Sequence, residues 1–204
     1  MSKPKTSAFY AVMRTLARPI FMIADRIKVE GRENVPEEGA YILASNHLTA
    51  TDPVDIGLSV RRQVMFMAKD ELFKNRFVAW FLGHLGAFPV DRGKGDKTSI
   101  HHFEEVLNEG YLMGIFIEGT RSKTGDFLPP KNGVSLISFD TKAPVIPVCI
   151  TKTKKGKIIH FDQPLTTEEL GLVEGRAKEF RVASRMIMEK IKALRVIDQE
   201  KYDS

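Results

Sequence analysis

The amino-acid sequence predicts a single α/β domain in which a mixed, mainly parallel central sheet is flanked by helices. Apolar runs of strand length alternate along the chain with segments whose apolar residues recur at helical steps. The length of 204 residues suits one domain, and no repeat or linker rich in glycine and serine divides it. Segment 1–28 is predicted to be an N-terminal amphipathic helix, and segment 29–204 the domain itself.

The N-terminal segment carries an apolar stripe at steps of three and four residues. The stripe consists of Phe9, Val12, Leu16, Ile20, Ile23 and Ile27. Pro19 is expected to kink or interrupt the helix near Arg18, because proline lacks an amide hydrogen. Two interpretations are open and can both hold: the helix packs on the core, or it docks in a membrane interface with Arg14 and Arg18 near lipid phosphates.

The rest of the chain alternates between predicted strands and predicted helices. Strands are predicted at GAYILASN (39–46), VMFMA (64–68), AFPV (87–90), YLMGIFI (111–117), APVIPVCIT (143–151) and KGKIIHFDQPL (155–165). Helices are predicted at VDIGLSVRR (54–62), ELFKNRFVAWFLGHLG (71–86), SIHHFEEVLNEG (99–110) and Glu174 to Ile197. The run TKTKKGK (151–157) is interpreted as a solvated turn, with attraction to anionic lipid as the alternative.

Composition narrows the class of partner and the chemistry. A formal charge of +5 and a pI near 9.3 favour anionic partners, which include nucleic acid, phosphorylated metabolites and anionic membrane surfaces. The single cysteine, Cys149, excludes an internal disulfide and a multi-cysteine metal site, and no spacing of histidines and carboxylates predicts a metal. No run is long and apolar enough to predict a transmembrane helix, and Arg14 and Arg18 interrupt the only stretch that could resemble a signal peptide.

The stretch NHLTATD (46–52) holds the candidate catalytic pair, His47 and Asp52. Asp52 precedes Pro53, and this combination predicts a helix start, so the pair lies in a loop between a strand and a helix. In such a loop the Asp52 carboxylate can accept a hydrogen bond from one ring nitrogen of His47 and leave the other nitrogen free as a base. On the pair alone, the simpler interpretation is a helix cap beside a polar turn residue.

Three further stretches accompany that loop. NHLTATD, GAFPVDR (86–92), FIEGTRS (116–122) and VIPVCI (145–150) resemble, in order and spacing, the four motifs of the glycerolipid acyltransferases. Together with the intervening strands they cover roughly Glu30 to Thr151, and their joint occurrence is far more specific than any one of them. One departure is visible: the family usually has proline before the glutamate of the third motif, where this chain has Ile117.

The resemblance implies transfer of a fatty acyl group from a thioester to the 2-hydroxyl of 1-acyl-glycerol 3-phosphate, giving phosphatidic acid for phospholipid biosynthesis. His47 would be the general base and Asp52 would hold it. The residues implied for phosphate and acceptor binding are Lys69, Arg92, Glu118, Gly119, Thr120 and Arg121. Arg121 is the first choice for the phosphate, while Glu118 would orient Arg121 or accept a glycerol hydroxyl. The alternative for Arg121 is an ion pair with Glu118 or Asp126, and the alternative for Arg92 is an ion pair with Asp91.

The fourth motif is core by default, but an enzyme that holds an acyl chain also needs an apolar slot. The residues implied for that slot are Val145, Ile146, Pro147 and Val148. The resemblance implies no metal or organic cofactor, since acyl carrier protein or coenzyme A would deliver the acyl group as a substrate.

The expected partners are therefore lysophosphatidic acid, acyl carrier protein or coenzyme A carrying an acyl group, and an anionic membrane surface. The chain is expected to be a peripheral or monotopic protein of the cytoplasmic face of the cell membrane. An acyltransferase for another lysophospholipid or a polyol head group is one alternative. A non-catalytic lipid- or nucleic-acid-binding module is another, although the aromatic residues are mostly phenylalanines inside apolar runs, which disfavours nucleic acid.

Overall fold

The computed structural model of the protein describes residues 8–90 and 97–202, which form helices around one seven-stranded sheet. The helices are α1 (Ala8–Ala24), α2 (Asp52–Ser59), α3 (Arg76–His84), α4 (Lys97–Asn108), α5 (Gly133–Thr141) and α6 (Ala177–Tyr202). The strands are β1 (Ile27–Glu30), β2 (Tyr41–Ser45), β3 (Val64–Lys69), β4 (Ala87–Val90), β5 (Leu112–Phe116), β6 (Val145–Thr153) and β7 (Gly156–Phe161). This arrangement confirms the predicted α/β class.

The strand order is β1-β7-β6-β2-β5-β3-β4, and the pairing is mixed. Strands β6, β2, β5, β3 and β4 run parallel to one another, whereas β7 is antiparallel to β6 and β1 is parallel to β7. The carboxyl ends of five strands therefore meet at one edge of the sheet, which we call the carboxyl edge. In parallel α/β sheets this is the edge at which ligands bind.

Each face of the sheet is covered by its own group of apolar side chains. On one face, α4, α5 and α6 pack over the central strands, with Leu107, Ile137 and Ile187 almost fully buried. On the other face, α2 packs through Ile56, and Met22 of α1 lies at the margin of the same cluster. The central parallel strands β2 and β6 are apolar on both faces because both faces are covered.

Two elements differ from the sequence prediction, and one predicted helix is divided into two. Ile27 continues the helical spacing of α1, but it is buried in β1, a strand that hydrophobic periodicity alone did not reveal. Helix α5 was not predicted, because its apolar residues follow no single stripe. The predicted helix 71–86 is divided into a short turn of 3-10 helix and α3, since Asn75 caps α3 by accepting from the Phe77 and Val78 amides.

Helix α1 continues through Pro19 to Ala24, so the expected interruption near Arg18 does not occur. Tyr10 and Arg14 face the body of the protein: the Tyr10 hydroxyl donates to the Gly57 carbonyl at 3.3 Å, and the Arg14 guanidinium donates to the Val60 carbonyl. The predicted apolar stripe points the other way. Its members Val12, Leu16, Ile20 and Ile23 are 57–76% exposed, so they do not pack on the core.

None of the helices in the described part of the chain is both long and apolar enough to cross a bilayer.

Candidate active site

The loop after β2 is fixed by an asparagine that sequence reasoning did not single out. The Asn46 side chain donates to the Ile150 carbonyl at 3.0 Å and accepts from the Ile150 amide at 2.8 Å. Asn46 is completely buried. Its side-chain amide pairs with the backbone of β6 in the way that the backbone of a neighbouring strand would. Because Asn46 precedes His47, this double hydrogen bond fixes where the histidine leaves the sheet.

His47 and Asp52 are hydrogen-bonded, as the sequence predicted. The distance from His47 Nδ1 to Asp52 Oδ2 is 2.9 Å. Asp52 Oδ2 also accepts from the Leu48 amide at 2.6 Å and the Thr49 amide at 2.7 Å, and the Thr49 hydroxyl donates to Oδ1. All these donors precede α2, so Asp52 holds the loop and the histidine. The predicted N-cap role is wrong, because α2 begins at Asp52 and the N-cap position belongs to Thr51.

The hydrogen bonds also set the charge of Asp52 and the tautomer of His47. Burial opposes ionisation of Asp52, but the donors from His47, Thr49 and Leu48 outweigh it and lower the pKa of the carboxyl below its ordinary value. An ionised carboxylate only accepts, so Nδ1 of the neutral His47 ring carries the hydrogen and Nε2 keeps a lone pair. The His47 side chain is 13% exposed and stacks on the Phe116 ring with centroids 3.7 Å apart. The ring is therefore held on two sides.

The third motif lies next to this pair because β2 and β5 are neighbours. Ser45 and Phe116, the last residues of the two strands, are in register, and the Ser122 amide donates to the His47 carbonyl at 2.9 Å. The Gly119 amide donates to the Phe116 carbonyl at 2.9 Å, which closes a tight turn where Gly119 has a φ of 71°. The predicted pair and the predicted anion-binding turn are thus directly joined.

Glu118 shapes this loop from inside. It is only 2% exposed, and its Oε1 accepts from the Leu128 amide at 3.1 Å, while Oε2 is buried and forms no hydrogen bond of normal geometry with a described residue. Burial raises the pKa of the Glu118 carboxyl, against the opposing effect of the Leu128 and His47 amides. No ion pair joins it to Arg121, so Glu118 does not orient Arg121 by direct contact, and its other expected role, accepting a glycerol hydroxyl, stays a prediction.

Gly119, Thr120 and Arg121 lie at the surface of the same turn. Arg121 makes no ion pair with Glu118 or with Asp126. Neither carboxylate therefore keeps the guanidinium from binding an anion. The loop that follows is tied down by Arg195 of α6, which donates to the Gly125 carbonyl at 2.8 Å and lies over the Phe127 ring at 3.7 Å. Sequence reasoning missed Arg195, since it lies about 70 residues away.

Of the two other predicted basic residues, Lys69 and Arg92, only the first belongs to the described part of the chain. Lys69 ends β3 and is in register with Val90 at the end of β4, so its backbone lies at the carboxyl edge. Arg92, two residues beyond β4, lies outside the described residues. Lys69 ends β3 and position 92 follows β4, and both strands terminate at the edge where His47 and Glu118 lie.

The predicted acyl-slot residues lie inside the sheet. Val145, Ile146 and Val148 are fully buried, and Pro147 is buried between them in β6. These four residues line neither the cavity of about 560 Å³ between α3 and α4 nor the cavity of about 380 Å³ near Arg32 and Arg62. As placed, they form core rather than an open slot. Next to them, burial raises the pKa of the Cys149 thiol to about 11, so this cysteine stays protonated.

Lys157 is a second residue that sequence reasoning misread. It belongs to the run interpreted as a solvated turn, yet it opens the buried part of β7 and is 6% exposed. Its ammonium contacts Asp55 and lies 3.7 Å from Asp52 Oδ1. Only the tip of the run, at Lys154 and Lys155, forms the turn between β6 and β7.

Fold and site together define a class of enzyme. A histidine with a lone pair on Nε2, supported by a buried carboxylate, lies at the carboxyl edge of parallel strands beside an exposed Gly-Thr-Arg turn. Among the described residues, no serine hydroxyl or thiol hydrogen-bonds to His47. This arrangement suits a group-transfer enzyme in which the histidine activates a hydroxyl of the substrate and not a hydroxyl or thiol of the enzyme.

Comparison with known proteins gives the family. A family model described as Acyltransferase matches residues 26–151. The 1-acyl-sn-glycerol-3-phosphate acyltransferase of Bacillus subtilis is 33% identical over 149 residues, which cover 72% of this chain and 74% of that protein. The protein of the same name from Streptococcus pneumoniae is 29% identical, with 79% of this chain and 64% of that protein covered. The chain therefore belongs to the Acyltransferase family and is an acyltransferase enzyme.

The fold agrees with a solved structure. The crystal structure of the 1-acyl-sn-glycerophosphate (LPA) acyltransferase PlsC from Thermotoga maritima superposes with a TM-score of 0.72 at 23% identity, covering 90% of this chain and 77% of that one. At this identity the likeness concerns the fold, which is the one described above.

Proposed function

We propose that this chain transfers a fatty acyl group from an acyl thioester to the 2-hydroxyl of 1-acyl-glycerol 3-phosphate, forming phosphatidic acid. The two relatives above carry the name of this activity, and the chain spans 74% and 64% of their lengths. The observation that carries the proposal is the hydrogen bond between His47 Nδ1 and Asp52, placed beside the Gly-Thr-Arg turn by the Ser122–His47 contact.

The proposed reaction uses His47 as general base. Its Nε2 takes the proton of the 2-hydroxyl while the hydroxyl oxygen attacks the thioester carbonyl carbon, and Asp52 stabilises the imidazolium that forms. The carbon–sulfur bond then breaks, and the departing sulfur receives the proton from His47, which restores the base and yields a free thiol. No group beyond the two substrates and the side chains of this chain is needed for these steps.

The experiment that tests the proposal is an assay of the purified chain with an acyl thioester and lysophosphatidic acid. Thiol release is followed with a chromogenic reagent, and phosphatidic acid is identified by mass spectrometry. Parallel reactions with acylated acyl carrier protein and with acyl-coenzyme A decide the donor. Lysophosphatidylcholine and glycerol serve as alternative acceptors. Faster transfer to either of them would give the chain a different acceptor, and the absence of thiol release with every acceptor would contradict an acyl-transfer function.

Replacing Arg121 by alanine is expected to raise the KM for lysophosphatidic acid about 10- to 100-fold, the usual effect of losing a hydrogen bond to a charged group. The reason is that the guanidinium is exposed on the turn next to His47 and forms no ion pair with Glu118 or Asp126. Steady-state kinetics with varied acceptor measure this. The matched control is Lys123→Ala, an exposed cation two residues further on. An unchanged KM in Arg121→Ala would move the phosphate site elsewhere.

We also propose that the exposed face of α1 docks on an anionic membrane, at the cytoplasmic face of the cell membrane, as in a peripheral or monotopic protein. Phe77 and Trp80 of α3 extend this face with 72% and 50% exposure, and Phe9 joins the two helices through a ring contact of 5.2 Å to Trp80. Exposed apolar area of this kind in two adjacent helices is typical of an interfacial surface. The exposed Lys74 and Arg76 at the start of α3 favour anionic lipid over neutral lipid.

Replacing Val12, Leu16, Ile20 and Ile23 together by glutamine is expected to abolish most co-sedimentation with vesicles that contain phosphatidylglycerol. Each of these side chains is more than half exposed, so the fold is retained and the melting temperature stays close to that of the parent. The control carries four glutamines at comparably exposed apolar positions elsewhere, namely Val173, Val182, Val196 and Ile197. Equal loss of binding in both proteins, or none in either, would contradict docking through α1.

A further inference from the structure

We propose that Lys157 is a positioning residue that holds the carboxylate of Asp52 in place for its hydrogen bond to His47. Lys157 opens the buried stretch of β7, where it pairs with Ile27 of β1. Its ammonium lies 3.7 Å from Asp52 Oδ1, on the side of the carboxylate away from the oxygen that His47 contacts. The role rests on the function proposed above, since it acts through His47.

The two buried carboxylates of α2 favour a cation at this place. Asp52 and Asp55 lie three residues apart in α2, and neither is exposed to solvent. Two ionised carboxylates in such surroundings repel each other and lose their hydration, and a positive charge beside them offsets both effects. The Lys157 ammonium contacts the Asp55 carboxylate directly and lies within 3.7 Å of Asp52. It supplies the positive charge that both carboxylates share.

The same ammonium also fixes the orientation of the Asp52 carboxylate. Thr49 and Thr51 place their hydroxyl oxygens 3.5 and 3.4 Å from Nζ, and the Thr49 hydroxyl donates to Asp52 Oδ1. Lys157 and Thr49 therefore hold Oδ1, which leaves Oδ2 directed at the His47 ring and the loop amides. A rotation of the carboxylate would lose contacts on both sides at once.

A further carboxylate joins this group from the end of α1. Asp25, directly after the helix, lies 3.7 Å from Nζ and is 40% exposed. The charged groups around Lys157 are thus Asp25 from the turn before β1 and Asp52 and Asp55 from α2. Although burial favours the neutral amine, these carboxylates raise the pKa of Lys157, so it stays protonated. The Lys157 ammonium thus connects Asp25, which follows α1, with Asp52, the partner of His47.

The test must separate positioning of Asp52 from simple neutralisation of Asp55. Lys157→Met alone leaves two buried carboxylates without their cation and is expected to lower stability. The informative comparison is therefore between Asp55→Asn, which keeps Lys157 beside Asp52, and the double variant Lys157→Met/Asp55→Asn, which removes both charges of the contacting pair. Lys157→Arg/Asp55→Asn returns a cation to the position. Thermal melting establishes that each protein is folded before its kinetics are compared.

We expect the double variant to have a kcat about tenfold or more below that of Asp55→Asn, with KM for both substrates unchanged. The reason is that the Lys157 ammonium lies close to the Asp52 carboxylate in a partly buried site, where the attraction between charges is strong. The variant with arginine should recover most of the rate. Equal kcat in Asp55→Asn and the double variant would overturn the proposal, as would a double variant in which only KM changed.

A second readout is independent of acyl transfer. Nitrogen-15 spectra of labelled histidine, assigned through His47→Ala, report which ring nitrogen of His47 carries the hydrogen. We expect the Nδ1-protonated form to predominate in the parent and in Asp55→Asn, and to lose its predominance in Lys157→Met/Asp55→Asn. An unchanged tautomer in the double variant would contradict the positioning role even if the acyl-transfer proposal itself failed.

Discussion

Replacement of His47 by alanine is expected to lower kcat for acyl transfer about 10²- to 10⁴-fold, the usual contribution of a general base. The KM values should remain close to those of the parent, because the ring is expected to act on the proton of the hydroxyl and not on the phosphate. The melting temperature should fall only slightly, since the side chain contributes only its stacking on Phe116 and one hydrogen bond to Asp52. Steady-state kinetics and thermal melting measure both effects.

The chain offers a matched control in His160. Its Nδ1 lies 2.8 Å from Asp198, and the two side chains are 18% and 1% exposed, so the pair resembles His47–Asp52 in geometry and burial. Thr151 also donates to Asp198 at 2.7 Å, which ties α6 to β6. His160→Ala should therefore reduce stability while transfer stays within a few-fold of the parent. An equal fall of kcat in both variants would show that the effect of His47→Ala is structural.

The loop with His47 could be predicted because its signals are local. A buried strand, a polar loop and Asp-Pro follow one another within about fifteen residues, and this order predicts a strand-to-helix loop whatever the rest of the chain does. The parallel strands then bring Glu118 to the same edge. The resemblance to the family supplied the substrate class, which no local pattern contains.

The parts that were missed depend on contacts between distant segments. The Asn46 side chain pairs with the backbone of Ile150, about a hundred residues away, and nothing near Asn46 indicates this partner. Lys157 belongs to a lysine-rich run whose composition predicts a solvated turn, and its neighbours Lys154 and Lys155 are surface residues. Its burial follows from the pairing of β7 with β1 and from the position of α2, and neither can be read from the run itself.

The spacing of apolar residues in α1 correctly predicts an apolar face, but it does not indicate what that face contacts. Both docking on the core and docking on a membrane need an apolar face, so periodicity alone leaves the two open. The structure excludes packing of these stripe residues on the core, because Tyr10 and Arg14 anchor the other face to α2 and its end, while Val12, Leu16 and Ile20 are exposed. Docking of the stripe on a membrane is the proposal made above. The residues that attach the helix to the protein are thus largely different from those that form the stripe.

Replacement of Asp52 by asparagine is expected to lower kcat nearly as much as His47→Ala, again with little change in KM. If the amide NH₂ faces His47, Nδ1 must become the acceptor and the hydrogen moves to Nε2, which removes the base. If the amide oxygen faces His47 instead, the NH₂ faces the Thr49 hydroxyl and the Lys157 ammonium, and the imidazolium loses its anionic partner. Either orientation impairs proton uptake. Kinetics and the histidine nitrogen-15 spectrum distinguish the two orientations.

The double variant His47→Ala/Asp52→Asn tests whether the two residues act as one unit. If Asp52 contributes to the rate only through His47, then without the imidazole it has nothing left to orient, and the double variant should have about the same kcat as His47→Ala. Independent roles would instead multiply the two losses. A multiplied loss with an unchanged melting temperature would mean that Asp52 acts on the substrate by another route, for example through the Leu48 and Thr49 amides that it now holds in place.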